Sequence, residues 1–265
     1  MKLKSKVAVV TASITGIGYA ALKKIAENGA TTYLAAHIEK DCLEAAEALK
    51  KQGLDVKYVH FDAFDSTTHQ SMIEEVVKQE GRIDILVNNF GTTNPRKDLD
   101  LINGDTDTFF NTVNTNIQSV YLTCKAALPH MIQQGGGNIV NVSSIGSILP
   151  DLSRLGYMVS KAAINSLTQN IAYEYARQNI RCNAIMPGMT ATPAVMQYMT
   201  KEFSLDYLKH VPLGRIAQPE EIADTILYLV SDESSYITGN ILNMAGGFGM
   251  GTPQFSDYMM GNTLG

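Results

Sequence analysis

Short, almost continuously apolar segments alternate along this chain with longer segments whose apolar residues recur at helical spacing. The apolar segments are KVAVV (6–10), TTYLAA (31–36), VKYVHFD (56–62), DILVNN (84–89), NIVNVSS (138–144), IRCNAIMPG (180–188) and ILNMAGG (241–247). Strands that are apolar on both faces are typical of a parallel sheet covered by helices on both sides. The pattern therefore predicts an α/β fold, a doubly wound parallel sheet of seven strands.

Helical patterns fill the intervals, ending near 28, 50 and 80 and then running over about 105–134, 153–177 and 219–231. No linker or internal repeat divides the chain, so residues 1–265 are predicted to form a single domain. Two segments interrupt the alternation: 188–215, too long for a simple loop, and 249–265, a tail after the last strand. Long connections in compact domains are often functional, and we expect 188–215 to be a lid.

Composition excludes several classes of function. The 265 residues are 45% hydrophobic with a net charge of −5, and the 21 basic residues are scattered, which argues against a nucleic-acid partner. No apolar stretch approaches the ~20 residues that span a bilayer, so no membrane partner is expected. Three distant cysteines and five unclustered histidines lack the spacing of a metal site. We expect a cytoplasmic protein with no metal.

The first strand leads into TASITGIG (11–18), which opens the first helix. Thr15, Gly16, Ile17 and Gly18 would then stand at a helix N-terminus, where backbone N–H groups bind a dinucleotide pyrophosphate in a Rossmann-type sheet. Asp62 and the pair Asn88–Asn89 end the third and fourth strands. Each could instead satisfy its own turn, but carboxyl ends of parallel strands border one crevice.

YMVSK (157–161) places a tyrosine and a lysine on one helix face, where an ammonium group can favour the phenolate. Tyr19 with Lys23 and Tyr121 with Lys125 have the same spacing. Only Tyr157 and Lys161 follow serines at a strand end, Ser143 and Ser144. A packing tyrosine and a solvated lysine is the better interpretation of the other two pairs.

TASITGIG, NNFG, Asn116, Ser144, YMVSK and PGMTAT resemble, in order and spacing, the short-chain dehydrogenase/reductase family over about 4–247. The resemblance implies that Tyr157 transfers a proton while hydride moves between substrate and nicotinamide. Ser144 would hydrogen-bond the substrate oxygen, Lys161 would bind the nicotinamide ribose and lower the tyrosine pKa, and Asn116 would hold a water in a proton relay.

The resemblance also implies a set of residues that contact the cofactor, with Asp62 at the adenine, Asn89 on the adenosine side and Thr192 at the carboxamide. The full predicted set is Thr15, Gly16, Ile17, Gly18, His37, Asp62, Asn89, Gly91, Tyr157, Lys161, Thr190 and Thr192. A homotetramer is implied as well, with the tail reaching a neighbouring subunit or its substrate pocket.

Three positions depart from the family pattern. Ala12 stands where a glycine is usual, and its methyl costs about 1 kcal/mol if the position requires a positive φ. Phe90 replaces the usual alanine of NNAG. At the end of the second strand Ala36 and His37 occupy the site of the acid that would bind a ribose 2′-OH. We therefore favour NADP, with NAD as the alternative because Glu39 is close.

Residues 186–208 include four methionines, two tyrosines and a phenylalanine, which suit a bulky apolar ligand or a lid packed on the protein itself. IDILVNNFGTTN, GDTDTFFN and AGGFGMGTPQFSDY resemble bacterial 7α-hydroxysteroid dehydrogenases, a group within the family. This likeness implies that the substrate is a bile acid and that its 7α-hydroxyl is oxidised reversibly to a 7-ketone. A reductase of 3-oxoacyl thioesters or sugars, and a non-catalytic dinucleotide sensor, stay open.

Overall fold

The computed structural model describes residues 1–252 and residue 257, and the remainder of the predicted tail lies outside the described residues. Seven strands form one parallel sheet in the order β3-β2-β1-β4-β5-β6-β7. The strands are β1 (Val7–Thr11), β2 (Thr31–Ala36), β3 (Val56–His60), β4 (Ile85–Asn88), β5 (Gly137–Val142), β6 (Ile180–Pro187) and β7 (Ile241–Met244). The predicted fold class and strand number are confirmed.

Eight α-helices connect the strands. They are α1 (Gly16–Glu27), α2 (Glu39–Lys50), α3 (Ser66–Glu80), α4 (Thr106–Gln133), α5 (Leu155–Tyr175), α6 (Pro193–Met196), α7 (Lys201–Leu208) and α8 (Pro219–Val230). Of the helices in the described part of the chain, none combines the length and hydrophobicity needed to cross a bilayer. Within the same residues no three metal-ligating side chains are grouped.

Alternate residues of β1 point into two separate cores. Ala8 and Val10 pack with apolar residues of α1, α2 and α8 on one face of the sheet. Val7 and Val9 pack with residues of α3, α4 and α5 on the other. Burial on both faces explains why the strands are apolar without alternation, and it makes the sheet doubly wound.

The strand order reverses at β1, which pairs with both β2 and β4 in parallel. Chain segments leaving the carboxyl ends of β1 and β4 diverge at that point and leave a crevice between them. In open α/β sheets, this is the place where ligands bind. The fold therefore brings the glycine turn after β1, the NNFG segment after β4 and the serines after β5 to one edge of the sheet.

Candidate active site

The glycine turn joins β1 to α1 in a tight conformation. Ala12 has φ +50 and Gly16 has φ +58, both in the left-handed region. A side chain at Gly18 would come within 2.6 Å of the Ala12 carbonyl oxygen, so only glycine fits there. The position of Ala12 thus requires the positive φ that the family pattern implies, and this chain adopts it with an alanine.

The first turn of α1 presents free N–H groups to the crevice. Thr15 is the N-cap residue, and within the described chain its side chain makes no capping hydrogen bond. Thr192, from the segment after β6, places its methyl 3.0 Å from where a Cβ on Gly16 would lie. Uncapped N–H groups at a helix start, behind glycines that admit close approach, fit the pyrophosphate of a dinucleotide.

Asn89 ties the end of β4 to the glycine turn. Its Nδ2 donates to the Ala12 carbonyl at 3.0 Å, and its own N–H donates to Thr11 Oγ1 at 3.0 Å. Thr11 was not anticipated as a site residue, although a hydroxyl ending an apolar strand was visible in the sequence. Asn88 faces the core instead, bonded to Asn141 at 2.9 Å.

Lys161 and Tyr157 project from the first two turns of α5. Lys161 is buried, and its Nζ donates to the Val142 carbonyl at 2.8 Å and to the Phe90 carbonyl at 3.4 Å. The same nitrogen lies 5.6 Å from the centroid of the Tyr157 ring. A Cβ on Gly91 would approach Lys161 Nζ to 2.8 Å, so the backbone at Gly91 lies against this lysine.

Burial controls the protonation of both groups. It raises the pKa of Tyr157, while the neighbouring Ser144 hydroxyl and the charge of Arg154 oppose part of the shift. Burial also lowers the pKa of Lys161 to about 8. The sequence predicts a lowered tyrosine pKa, but burial outweighs the opposing effects of Ser144 and Arg154, so the phenol is protonated at neutral pH.

Ser144 begins a 3₁₀ turn directly after β5. Gly146 donates its N–H to Ser144 Oγ at 3.2 Å, which orients the hydroxyl. Ser147 Oγ donates to the Ser144 carbonyl at 2.6 Å and accepts from Asn165 Nδ2 at 2.8 Å. Ser147 and Asn165, which are not among the residues predicted from the sequence, therefore hold the backbone of Ser144 in place.

Asn116 lies on the buried face of α4 and is fully buried. Its amide accepts from Thr92 N–H and donates to Thr92 carbonyl, both at 2.9 Å, and it also donates to Ser160 Oγ at 2.9 Å. These bonds fix the segment after Gly91 between α4 and α5. The water relay stays a prediction, since the amide is engaged with protein groups.

Three other predicted residues contribute less directly. Asp62 Oδ1 accepts the N–H of Phe64 at 2.9 Å, so it caps its own turn after β3. The buried Thr190 hydroxyl donates to the Gly188 carbonyl at 3.1 Å. His37 is exposed immediately after β2. Among the hydrogen bonds of residues 1–252, none links these three side chains to the Tyr157 group.

Phe90 packs edge-on against Phe61 and Phe64, with ring centroids 6.4 and 6.0 Å away. The larger side chain is thereby accommodated beside the loop that follows β3. Its carbonyl still reaches Lys161. The replacement of the usual alanine therefore leaves the lysine contact in place.

The predicted lid contains α6 and α7, and aromatic stacking connects it to the segment after β7. Tyr207 stacks on Phe203 at 6.3 Å and on Phe248 at 5.1 Å between ring centroids. Tyr207 OH also accepts the N–H of Met189 at 3.3 Å. A side chain at Gly249 would overlap Leu149, so the tail also lies against the loop after Ser144.

The other two tyrosine–lysine pairs lie away from this group. Lys23 approaches Glu27 at 4.0 Å on the outer face of α1. Tyr121 is 47% exposed on α4, and Lys125 lies over its ring. Neither pair is joined to the serine after β5 in the described structure. The geometry therefore supports Tyr157 and Lys161 as the reactive pair.

Comparison with known proteins gives consistent matches over nearly the whole chain. A family model described as enoyl-(acyl carrier protein) reductase matches residues 11–249. A 7α-hydroxysteroid dehydrogenase of Clostridium sardiniense is 54% identical over 257 residues, covering 97% of this chain and 98% of its own. One from Paraclostridium sordellii is 50% identical over 259 residues, covering 97% of each.

A solved structure gives the same result in three dimensions. A 7α-hydroxysteroid dehydrogenase complexed with NADH and 7-oxo glycochenodeoxycholic acid matches with a TM-score of 0.88 and 28% identity, over 93% of this chain and 95% of that one. The glycine turn, the serine after β5 and the tyrosine–lysine pair of α5 thus occur in a chain that matches such enzymes over at least 93% of its length. The chain belongs to the short-chain dehydrogenase/reductase family and is an oxidoreductase.

Proposed function

We propose that this enzyme reversibly oxidises the 7α-hydroxyl of bile acids to a 7-ketone, with NADP as the hydride acceptor. The observation that carries the proposal is that Tyr157 lies beside both Ser144 and Lys161, in a chain 54% identical to a 7α-hydroxysteroid dehydrogenase. The site supports the reaction class, and the relatives support the substrate.

Proton transfer falls to Tyr157. When bound, a nicotinamide dinucleotide supplies or accepts the hydride. Tyr157, protonated at neutral pH, donates its proton to the ketone oxygen during reduction, and its phenolate form takes the hydroxyl proton during oxidation. Ser144 Oγ, oriented by Gly146, hydrogen-bonds the same oxygen and holds it beside the phenol. Because the phenol and the hydroxyl both hydrogen-bond to this one oxygen, they hold it in position for proton transfer.

Lys161 has two roles in the proposal. Anchored by the Val142 and Phe90 carbonyls, its ammonium stands at the bottom of the crevice, in reach of a ribose hydroxyl. With a pKa of about 8 it stays charged for the most part at neutral pH. That charge favours the phenolate form that oxidation of the alcohol requires.

The preference for NADP is supported by the end of β2. Ala36 is apolar and His37 and Lys40 are exposed beyond it, so a 2′-phosphate meets no carboxylate at Ala36. Thr15 is exposed at the start of α1 on the same edge of the sheet. The related solved structure contains NADH, which keeps NAD as the alternative.

A bile acid would bury its ring system under the lid. Met196, Tyr198 and Phe203 are exposed on α6, α7 and the turn between them, and Met250 is exposed in the segment after β7. Exposed apolar side chains on neighbouring segments are typical of a ligand site. Burial of apolar area at about 25 cal/mol per Å² would dominate binding, and Ser144 and Tyr157 would fix the reacting oxygen.

We also propose a homotetramer that works in the cytoplasm. Phe110 and Tyr121 on α4 and Val159 and Tyr173 on α5 are exposed, as expected of faces that pack between subunits. The three cysteines are free and buried, consistent with a reducing compartment. Light scattering of the purified protein tests the proposed tetramer, and a monomeric mass would refute it.

The substrate is tested by following reduced-nicotinamide absorbance with bile acids that carry hydroxyls at the 3, 7 or 12 position, with NADP and NAD in parallel. We expect turnover of 7α-hydroxylated acids only. Activity confined to 3-oxoacyl thioesters or sugars would overturn the bile-acid assignment and leave an oxidoreductase. Dinucleotide binding without turnover of any compound would favour a sensor.

A further inference from the structure

Asp98 lies in the loop between β4 and α4 and is 2% exposed. Its Oδ1 accepts the N–H of Gly156 at 2.7 Å. Its Oδ2 accepts the N–H of Tyr157 at 3.0 Å and the hydroxyl of Thr93 at 2.8 Å. A buried carboxylate with three donors is therefore attached directly to the backbone of the tyrosine that transfers the proton.

The start of α5 needs such a partner. The helix begins at Leu155, and its N-cap residue Arg154 has φ +64 and provides no side-chain cap in the described structure. The first N–H groups of a helix have no partner within it, and an N-cap side chain normally accepts from the second or third residue. Gly156 and Tyr157 are those two residues, and Asp98 accepts from both across 58 and 59 positions of sequence.

Backbone bonds extend the attachment. Arg154 donates its N–H to the Asp98 carbonyl at 2.7 Å, and Leu155 donates to the Leu99 carbonyl at 3.3 Å. Near its other end the same loop includes Gly91, which lies against Lys161. The loop after β4 thus contacts both the lysine and the first turn of the helix that carries the tyrosine.

We propose that Asp98 is a positioning residue for catalysis: by capping α5 from outside the helix, it fixes the Tyr157 backbone and so the phenol relative to Ser144. The inference rests on the proposed role of Tyr157 as the proton donor. The negative charge at a helix N-terminus is favourable. No bond from Asp98 reaches the Tyr157 hydroxyl in the described structure, so the effect passes through the backbone.

Asparagine has nearly the same volume as aspartate, so Asp98→Asn weakens the cap without changing the size of the side chain. In Asp98→Asn one oxygen still accepts one N–H, while the amide NH₂ faces the other N–H as a second donor. We expect kcat to fall by about tenfold to a hundredfold, the range that a small misplacement of a catalytic group produces. The dissociation constant of the dinucleotide should stay unchanged, because the glycine turn is not touched.

Asp105→Asn is the matched control, since Asp105 is exposed and caps α4 by accepting the N–H of Thr108 at 2.8 Å. It makes the same substitution at the N-cap of another helix, where asparagine caps as well as aspartate does, and it should leave kcat unchanged. Thr93→Val keeps the Asp98 carboxylate but removes the hydroxyl that orients it. Thr93→Val should also lower kcat, by about twofold to tenfold. This variant tests the role of Asp98 if Asp98→Asn does not fold.

Two measurements complete the test. Amide hydrogen exchange of Gly156 and Tyr157, made without substrate, should accelerate in Asp98→Asn and not in Asp105→Asn. The primary deuterium isotope effect on kcat, with dinucleotide deuterated at the transferred position, should rise because the chemical step becomes slower. Unchanged exchange, or faster exchange with wild-type kcat, would overturn the proposal. The exchange result is independent of the substrate, so failure of the bile-acid assignment would be seen separately.

Discussion

Ala12 provides a test of how this chain departs from its family. Its φ of +50 lies in the left-handed region, where an alanine costs about 1–2 kcal/mol. Its backbone is nevertheless well held, because its N–H donates to the Ala35 carbonyl at 2.8 Å and its carbonyl accepts from Asn89. Ala12→Gly keeps both bonds and removes the strain.

The expected gain in the free energy of unfolding is the strain that is relieved minus the cost of the larger conformational freedom of glycine in the unfolded chain. That cost is about 0.4–1 kcal/mol. The net stabilisation is then about 0.5–1 kcal/mol, or a rise in Tm of about 1–4 °C for a domain of this size. Thermal unfolding monitored by circular dichroism measures it. The dissociation constant of the dinucleotide should not increase, since the turn keeps its shape.

Ala48→Gly is the control with the opposite sign. Ala48 is exposed in the last turn of α2, where glycine costs up to about 1 kcal/mol relative to alanine. We therefore expect Tm to fall in Ala48→Gly and to rise in Ala12→Gly. A fall in both variants would refute the argument that Ala12 stores strain.

Further predictions concern cofactor, pH and lid. Ala36→Asp should raise the KM for NADP about tenfold or more by repulsion of the 2′-phosphate, and a wild-type preference for NAD would overturn the assignment. Because burial raises the pKa of Tyr157, the phenolate fraction grows with pH while the phenol stays dominant, so alcohol oxidation should accelerate from about pH 6 to 10 and ketone reduction should change little; an oxidation rate that falls over this range would contradict this. Phe248→Ala should raise the KM for bile acid about threefold to tenfold, because it removes the stacking on Tyr207. Tyr236→Ala, at an exposed tyrosine, is the control, and an equal rise in KM in both variants would exclude the stacking as the cause.

Most of the fold could be predicted because the strands are buried on both faces. Apolar runs such as TTYLAA and DILVNN coincide with β2 and β4 to within two residues. The end of α3 is likewise marked by Gly81, which has φ +73. Local signals of this kind act within a few residues and are readable without the structure.

The site could be predicted where its residues end strands or share a helix face, as Ser144, Tyr157 and Lys161 do. Asp98 could not, because its role depends on contact with α5 across 58 positions of sequence. The direction of the Tyr157 pKa was also missed, since desolvation depends on the surrounding packing. Asp62 caps its own turn, an alternative that the sequence had left open.

The central claim is that Tyr157, and neither of the other two tyrosine–lysine pairs, carries the proton transfer. The most direct measurement compares wild type, Tyr157→Phe and Tyr121→Phe for turnover of a 7α-hydroxylated bile acid and for dinucleotide binding. We expect Tyr157→Phe to lose about a thousandfold or more in kcat and to bind the dinucleotide as wild type does, with Tyr121→Phe fully active. Retained turnover in Tyr157→Phe, or equal loss in both variants, would contradict the account.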